Sequence, residues 1–564
     1  MSLKVESSSR GAFYGPFLLL IAGMGGLLYG IDVGIISAAL LYLGKTVSLT
    51  TAQTSEIVAA VLGGSMLSSL VAGFLADWLG RKTMMIVSAV MFIASVGLIV
   101  LSQGFVPLFA GRLLQGMSGG VIAVVVPLYL AECLSAKTRG RGSAIFQLML
   151  TVGIVIAAVV GWYFTRQAET AIAAAGGNED LIRAAANHAW RGMFLSVVYP
   201  GVIFFVGSIF LSETPRWLFR RGRAADALAA LRKTSSEEEA ALQMEEMEAL
   251  SSKNAEKKAS GAVGSLLQRK YVVPFVLACI VLACNQATGI NSILSYLVII
   301  LKQAGMSAAH ATQGDVVVKA INCLMTVVAV FLVDRKGRKF LLTVGTAGII
   351  VALACAAVLF HGFEARRVDV KSQVEERVRG NAVMVPVSLL DSGVRPTGPM
   401  AVTVAYTYGE GDKIVTVLST DADGILKVQP DDAKAGPLVI EHASYGPVPS
   451  EQTGWLIGAC IALFIAAFAI GPGVVVWLML SELMPTRIRS GGMGIALLIN
   501  QGVSTLIAGV FLPVVGRYGY FAMFAFWAAC TVVYFSTAVF FLPETKGKTL
   551  EEIEVGFEAR AGEA

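Results

Sequence analysis

Apolar stretches of about twenty residues recur along this chain, each long enough to cross roughly 30 Å of hydrocarbon as a helix. They fall near residues 13–43, 55–77, 83–102, 107–130, 143–163, 192–211, 272–301, 313–333, 340–361, 455–480, 491–514 and 521–542. Twelve spans predict an all-α membrane protein. Composition agrees: of 564 residues 55% are hydrophobic and only 15% charged, against about a quarter charged in soluble domains. The first span is not read as a cleaved signal peptide, because Asp32 and its glycine-rich flank break the expected h-region and cleavage pattern.

Two signatures occur twice. Gly73–Lys82 reads GFLADWLGRK and Val330–Lys339 reads VFLVDRKGRK, each between two apolar spans. Glu132 precedes Arg139 by seven residues, as Glu482 precedes Arg489. The chain is therefore expected to fold as two pseudo-symmetric six-helix bundles. The Glu132-to-Glu482 separation exceeds that from Asp77 to Asp334 by 93 residues. That excess maps to 362–453, between spans nine and ten. Alternating runs at Ala382–Leu390, Ala401–Tyr408, Lys413–Thr420, Gly424–Gln429 and Leu438–His442, separated by turn clusters, predict a small β-rich insert there. Glu364–Arg379, ahead of them, reads as helical.

Basic residues of the short loops cluster on one side: Arg81, Lys82, Lys137, Arg139, Arg141, Arg335, Lys336, Arg338, Lys339, Arg487, Arg489, Lys546 and Lys548. By the positive-inside rule this side and both termini are expected to be cytoplasmic, in a cell (inner) membrane. The net charge of +5 then reflects topology, and no nucleic-acid partner is expected. The predicted organisation is a first bundle over 1–218 with an outer insert at 164–189, and a cytoplasmic helical linker over 219–270. A second bundle follows over 271–361 and 454–545, split by the extracytoplasmic β-rich insert, with a cytoplasmic tail over 546–564. The seven cysteines lack zinc-like spacing and read as buried small apolar residues. No metal and no cofactor are expected.

Nine motifs in order resemble the sugar porters of the major facilitator superfamily: GGLLYGIDVGIISAAL (25–40), GFLADWLGRK, GRLLQG (111–116), PLYLAECLSAKTRGR (127–141), SETPRWL (212–218), NQATGIN (285–291), DRKGRK (334–339), GPGVVVWLMLSELMPTRIR (471–489) and PETKGKTLEEIE (543–554). The β-rich insert lies outside the resemblance. The resemblance implies alternating access around a midplane site, with a monosaccharide and a proton as partners, in a lipid bilayer, the protein acting as a monomer and not as an enzyme.

Within that resemblance Asp32 and Arg112 are expected to carry proton coupling. A carboxylate inside a span marks a functional site by default. Burial favours its neutral form, while a neighbouring guanidinium favours the carboxylate. The membrane potential adds about 2.3 kcal/mol per charge per 100 mV. A static ion pair that only positions helices is the alternative. Gln147, Gln286, Asn291, Asn322 and Asn500 align with sugar-contacting positions of the family, amides that both donate and accept. Trp477 would offer an apolar face to the ring.

Asn285, Tyr296 and Gln501 are further substrate-binding expectations, and all three depart from the family pattern. Asn285 stands where Gln is usual, Ser295-Tyr296 where paired aromatics are usual, and Gln501 where Trp is frequent. Val474 and Val476 replace a proline-type pattern near Trp477. Asp77, Arg81, Glu132, Arg139, Glu213, Arg216, Asp334, Arg338, Glu482 and Arg489 are implied to form a cytoplasmic gate of inter-helix ion pairs. Two rival readings remain: a passive sugar or polyol facilitator, and a transporter-like sugar sensor using the insert as an interaction module.

Overall fold

The computed structural model describes residues 9–134, 136–259, 269–390, 399–409, 411–419, 424–430, 436–484 and 489–546. The first half contains α1 (Ser9–Leu43), α2 (Thr51–Leu79), α3 (Arg81–Leu101), α4 (Phe105–Cys133), α5 (Ala136–Ala174), α6 (Glu179–Ser196) and α7 (Val198–Phe210). Short helices α8 (Pro215–Arg220) and α9 (Ala224–Leu231) and the longer α10 (Glu237–Ala259) lead to the second half. There α11 (Arg269–Ala287), α12 (Ile290–Gln303), α13 (Ala308–Lys336) and α14 (Arg338–Glu364) precede the β-rich insert. After it come α16 (Glu451–Ile470), α17 (Pro472–Leu483) and α18 (Arg489–Ser536).

Among the described residues, eleven apolar helical stretches qualify as spans by length and composition. The last, Gly492–Phe541, has 50 residues and at about 1.5 Å per residue would overrun one bilayer more than twofold. It breaks at Gly519 (φ 81°, ψ 169°), which yields twelve spans. Two other spans expected to be continuous are broken at a glycine, and the span expected at 192–211 is divided between α6 and α7. Gly289 adopts the left-handed conformation (φ 82°) between α11 and α12, and a Cβ there would lie 2.4 Å from the Trp527 ring. Gly471 and Pro472 interrupt the span formed by α16 and α17.

Helices within a half pack through glycine. A Cβ on Gly30 of α1 would sit 1.9 Å from the Leu150 carbonyl oxygen of α5, and one on Gly116 of α4 would sit 2.0 Å from that of Val61 on α2. Such close crossings are how membrane helices gain contact without a hydrophobic driving force. The halves meet through α1 with α12, α5 with α13 and α2 with α18.

The insert contains β1 (Val368–Asp369), the short α15 (Lys371–Glu375), β2 (Val378–Arg379), β3 (Ala382–Pro386), β4 (Met400–Thr407), β5 (Asp412–Leu418), β6 (Ile425–Val428) and β7 (Val439–Pro447). An antiparallel sheet runs β1-β7-β4-β5, and a second runs β2-β3-β6. Alternate residues Val383, Val385, Val402, Val404, Leu426 and Val428 point into a core separate from the helical one. Glu364–Arg379 forms strands around one short helix, not the continuous helix expected. Val368 pairs with Tyr445 of β7, and that edge pairing overrides local helix propensity. Only Cys133 is buried; Cys355 is exposed and five cysteines are intermediate. On membrane helices an apolar thiol has no need to turn inward.

Candidate transport site

Asp32 of α1 is fully buried, and Arg112 of α4 is 1% exposed. Their one polar contact is Arg112 Nη1 to Asp32 Oδ1 at 3.1 Å. The same nitrogen donates to Gln115 Oε1 at 2.7 Å, and the guanidinium lies over the Phe194 ring at 5.5 Å. Asp32 Oδ2 and Arg112 Nε are buried with no hydrogen-bond partner. The geometry is a monodentate pair sharing its donor, far from the bidentate fork a permanent Arg–carboxylate tie adopts. Gln115 escaped the sequence reading, although it stands three residues after Arg112 on the same helical face.

The amide cluster gathers around the break between α11 and α12. Asn291 Nδ2 donates to Gln286 Oε1 at 3.0 Å and to Ser504 Oγ of α18 at 2.8 Å. Gln501 Nε2 reaches Ser65 Oγ of α2 at 3.5 Å, across the two halves. Asn285 Oδ1 and Asn500 Oδ1 are buried and unpartnered, which leaves acceptors for hydroxyl donors. Tyr296 instead turns into the core: its hydroxyl donates to Ala508 O at 3.2 Å and its ring stacks on Phe511 at 4.4 Å. Gln147 and Asn322 are half-buried and flank the Thr151–Cys323 contact of 3.4 Å between α5 and α13. Trp477 is 46% exposed on α17. Ser504 and Ser65 were not singled out by sequence, because serine in an apolar span has no distinguishing spacing.

The opposite end of each half carries a matched lock. Arg81 Nη2 pairs with Glu132 at 3.0 Å and Asp77 at 2.6 Å. Arg338 Nη2 pairs with Glu482 at 3.2 Å. Thr214 Oγ1 donates to Glu132 and Thr545 Oγ1 to Glu482, both at 2.6 Å. Glu213 accepts from the Arg81 and Lys82 backbone N–H groups, and Glu544 from those of Arg338 and Lys339. Each carboxylate thus caps a helix that starts after a positive-φ glycine, Gly80 (98°) or Gly337 (91°). The Arg81–Glu132, Arg81–Asp77 and Arg338–Glu482 pairs each join residues of one half. Arg216 is exposed. The side chains of Arg139, Asp334 and Arg489 lie outside the described residues. The equivalence of Glu213-Thr214 with Glu544-Thr545 was not read from sequence.

The sequence pattern described as "Sugar (and other) transporter" matches residues 18–382 and 439–557. The chain belongs to this family of sugar transporters. The unmatched interval, 383–438, contains most of β3 and all of β4, β5 and β6. Among curated relatives, the glucose transporter GlcP of Staphylococcus epidermidis (strain ATCC 12228 / FDA PCI 1200) is 29% identical, covering 97% of this chain and 98% of that one. The proton myo-inositol cotransporter of Homo sapiens is 27% identical, covering 96% and 81%. The partially occluded inward-open xylose transporter XylE from E. coli superposes with a TM-score of 0.67 at 21% identity, covering 95% of this chain and 99% of that one.

For a sugar transporter the distribution of polar contacts is informative. Polar links between the halves lie at mid-depth, where Gln501 reaches Ser65 at the centre of α2, and toward the end bearing the β-rich insert, where Ser55 Oγ accepts from Leu512 N at 3.2 Å. The Arg81 pairs and the Arg338–Glu482 pair, at the other end, join neighbouring segments of one half.

Proposed function

We propose that this chain is a proton-coupled monosaccharide symporter, taking a hexose or pentose, with Asp32 as the protonation site. The observation that carries this reading is the buried, monodentate Asp32–Arg112 contact with Asp32 Oδ2 unpartnered. Protonation of Asp32 releases Arg112 to Gln115 alone; deprotonation restores the pair. The gain or loss of that charge alters the tie between α1 and α4, the helices that line the first half. Sugar binds on the amides around Gln286, Asn291, Asn500 and Ser504. The arginine-lock face is cytoplasmic with both termini, the β-rich insert extracytoplasmic, and the membrane the cell (inner) membrane. A monomer suffices, since both halves lie in one chain.

Relatives named as inositol transporters support a second substrate reading, a cyclic polyol of hexose size, which offers the same hydroxyl pattern to the same amides. Uptake of radiolabelled hexoses, pentoses and inositols into proteoliposomes under an imposed pH gradient distinguishes these. Asp32→Asn is expected to lose gradient-driven accumulation and retain exchange of sugar for sugar. Accumulation at the parental level by Asp32→Asn would end the proton assignment, and a passive facilitator would accumulate nothing in either form.

A further inference from the structure

A second buried ion pair belongs to no site described above. Asp315 and Lys319 stand one turn apart on α13, with side chains 1% and 0% exposed. The Lys319 ammonium has three protons and three acceptors: Asp315 Oδ2 at 2.8 Å, Ser37 Oγ at 2.8 Å and Gly34 O at 3.0 Å. Ser37 Oγ also lies 3.0 Å from Asp315 Oδ2. Gly34 and Ser37 are on α1, in the other half. This polar knot joins the two bundles directly.

Its position and symmetry indicate its task. Asp315 is seven residues into α13 from the insert-side end at Ala308, and Lys319 one turn nearer that end than Asn322. The repeat spacing that maps Asp334 onto Asp77 maps Asp315 onto Val58 and Lys319 onto Leu62, both buried apolar residues of α2. The pair is thus an addition to one half only. With all three ammonium protons engaged, Lys319 has none left for sugar. Charges in a membrane span are retained where they are paired and functional.

We infer that Asp315 and Lys319 form a latch that closes the insert-side face by tying α13 to α1. This rests on the alternating-access reading above. The pair itself survives opening, because both members are on α13; what separates is its hold on Gly34 and Ser37, and water must then reach the ions. The latch sets how readily the insert-side face opens and acts as a positioning device, without touching substrate.

The test is hydrogen–deuterium exchange of the full-length protein in nanodiscs, without sugar or gradient, for the parent, Lys319→Met, Asp315→Asn and Ser37→Ala. Expected is a several-fold rise in exchange over 34–43 and 308–320, largest for Lys319→Met and smaller in the same sense for Ser37→Ala. Ser37→Ala leaves the ion pair intact and keeps the test open if a charge variant does not fold. Parental exchange over these segments in Ser37→Ala overturns the latch. Because the readout needs neither sugar nor protons, it stands apart from the fate of Asp32→Asn.

Discussion

At the scale of single residues, two carboxylates with one task differ in their electrostatics. Burial pushes the Glu213 carboxyl above its usual range despite the backbone donors of Thr214, Lys82 and Arg81. Glu544 is less buried, so its desolvation is outweighed by the N–H groups of Lys546, Arg338, Lys339 and Thr545, and its carboxyl is held below that range. The signs of the linked stability are opposite. Glu544's contribution is present above the unfolded carboxyl value and fades as pH falls through its lowered one. Glu213's is present at acid pH and fades as pH rises through its raised one. The Tm gap between parent and Glu544→Gln is expected to be widest at neutral pH and to shrink on acidification. The gap for Glu213→Gln should grow instead. Thermal unfolding in nanodiscs across acid to neutral pH checks both; parallel trends would refute the assignment.

At the scale of elements, helix junctions decide the path of the chain. Glu364, at the end of α14, accepts from the Tyr520 and Phe521 backbone N–H groups at 2.8 and 3.1 Å, just after Gly519. This repeats the device at Gly80 with Glu213 and Gly337 with Glu544, at the other end of the molecule. A Cβ on Gly519 would meet Glu364 Oε2 at 2.6 Å, and φ of 81° with extended ψ is a glycine conformation. Gly519→Ala is expected to destabilise by about 1–3 kcal/mol. Gly97→Ala on α3, where nothing lies within 4 Å, is expected to be neutral or stabilising by up to about 1 kcal/mol. Their Tm values measured side by side test this.

These junctions also explain what sequence made legible. Span length and the GRK signatures were readable because lipid thickness and charge asymmetry act on composition alone. The breaks at Gly289 and Gly471 were not, since one glycine in an apolar run takes its meaning from the neighbour that closes on it, Trp527 in the first case. Asp32 and Arg112 were legible through their surroundings in the motifs. Asp315 and Lys319 lay in plain view inside the eighth span, but their partners, Gly34 and Ser37, are nearly three hundred residues away.

At the scale of the whole molecule, the β-rich insert emerges from the second half and also touches the first. Lys413 Nζ donates to Ser48 Oγ at 2.9 Å, and Lys427 lies 4.0 Å from Glu179. A cavity of 1210 Å³ separates it from the helix ends, bordered by Lys45, Arg183, Arg367 and Arg517 among others. Deletion must begin after Glu364, since that carboxylate secures α18. Joining Ala365 to Ser450 by a short flexible linker is expected to leave a folded transporter, because the insert has its own core. Uptake at saturating sugar should be faster than in the parent, as the bridge to the first half is gone. Equal or slower uptake in proteoliposomes would argue against a restraining role.

The seam at Glu364 has one more consequence. The insert's first strand begins four residues after a carboxylate bolted to the restart of α18, while its grip on the first half includes polar surface contacts that are individually weak. It must therefore travel with the second half as a rigid flag. A dye attached to its exposed edge would swing relative to one fixed at Glu179 each time the molecule turned over, making the working cycle of a single transporter visible from the side where the insert stands, without a probe ever entering the sugar path.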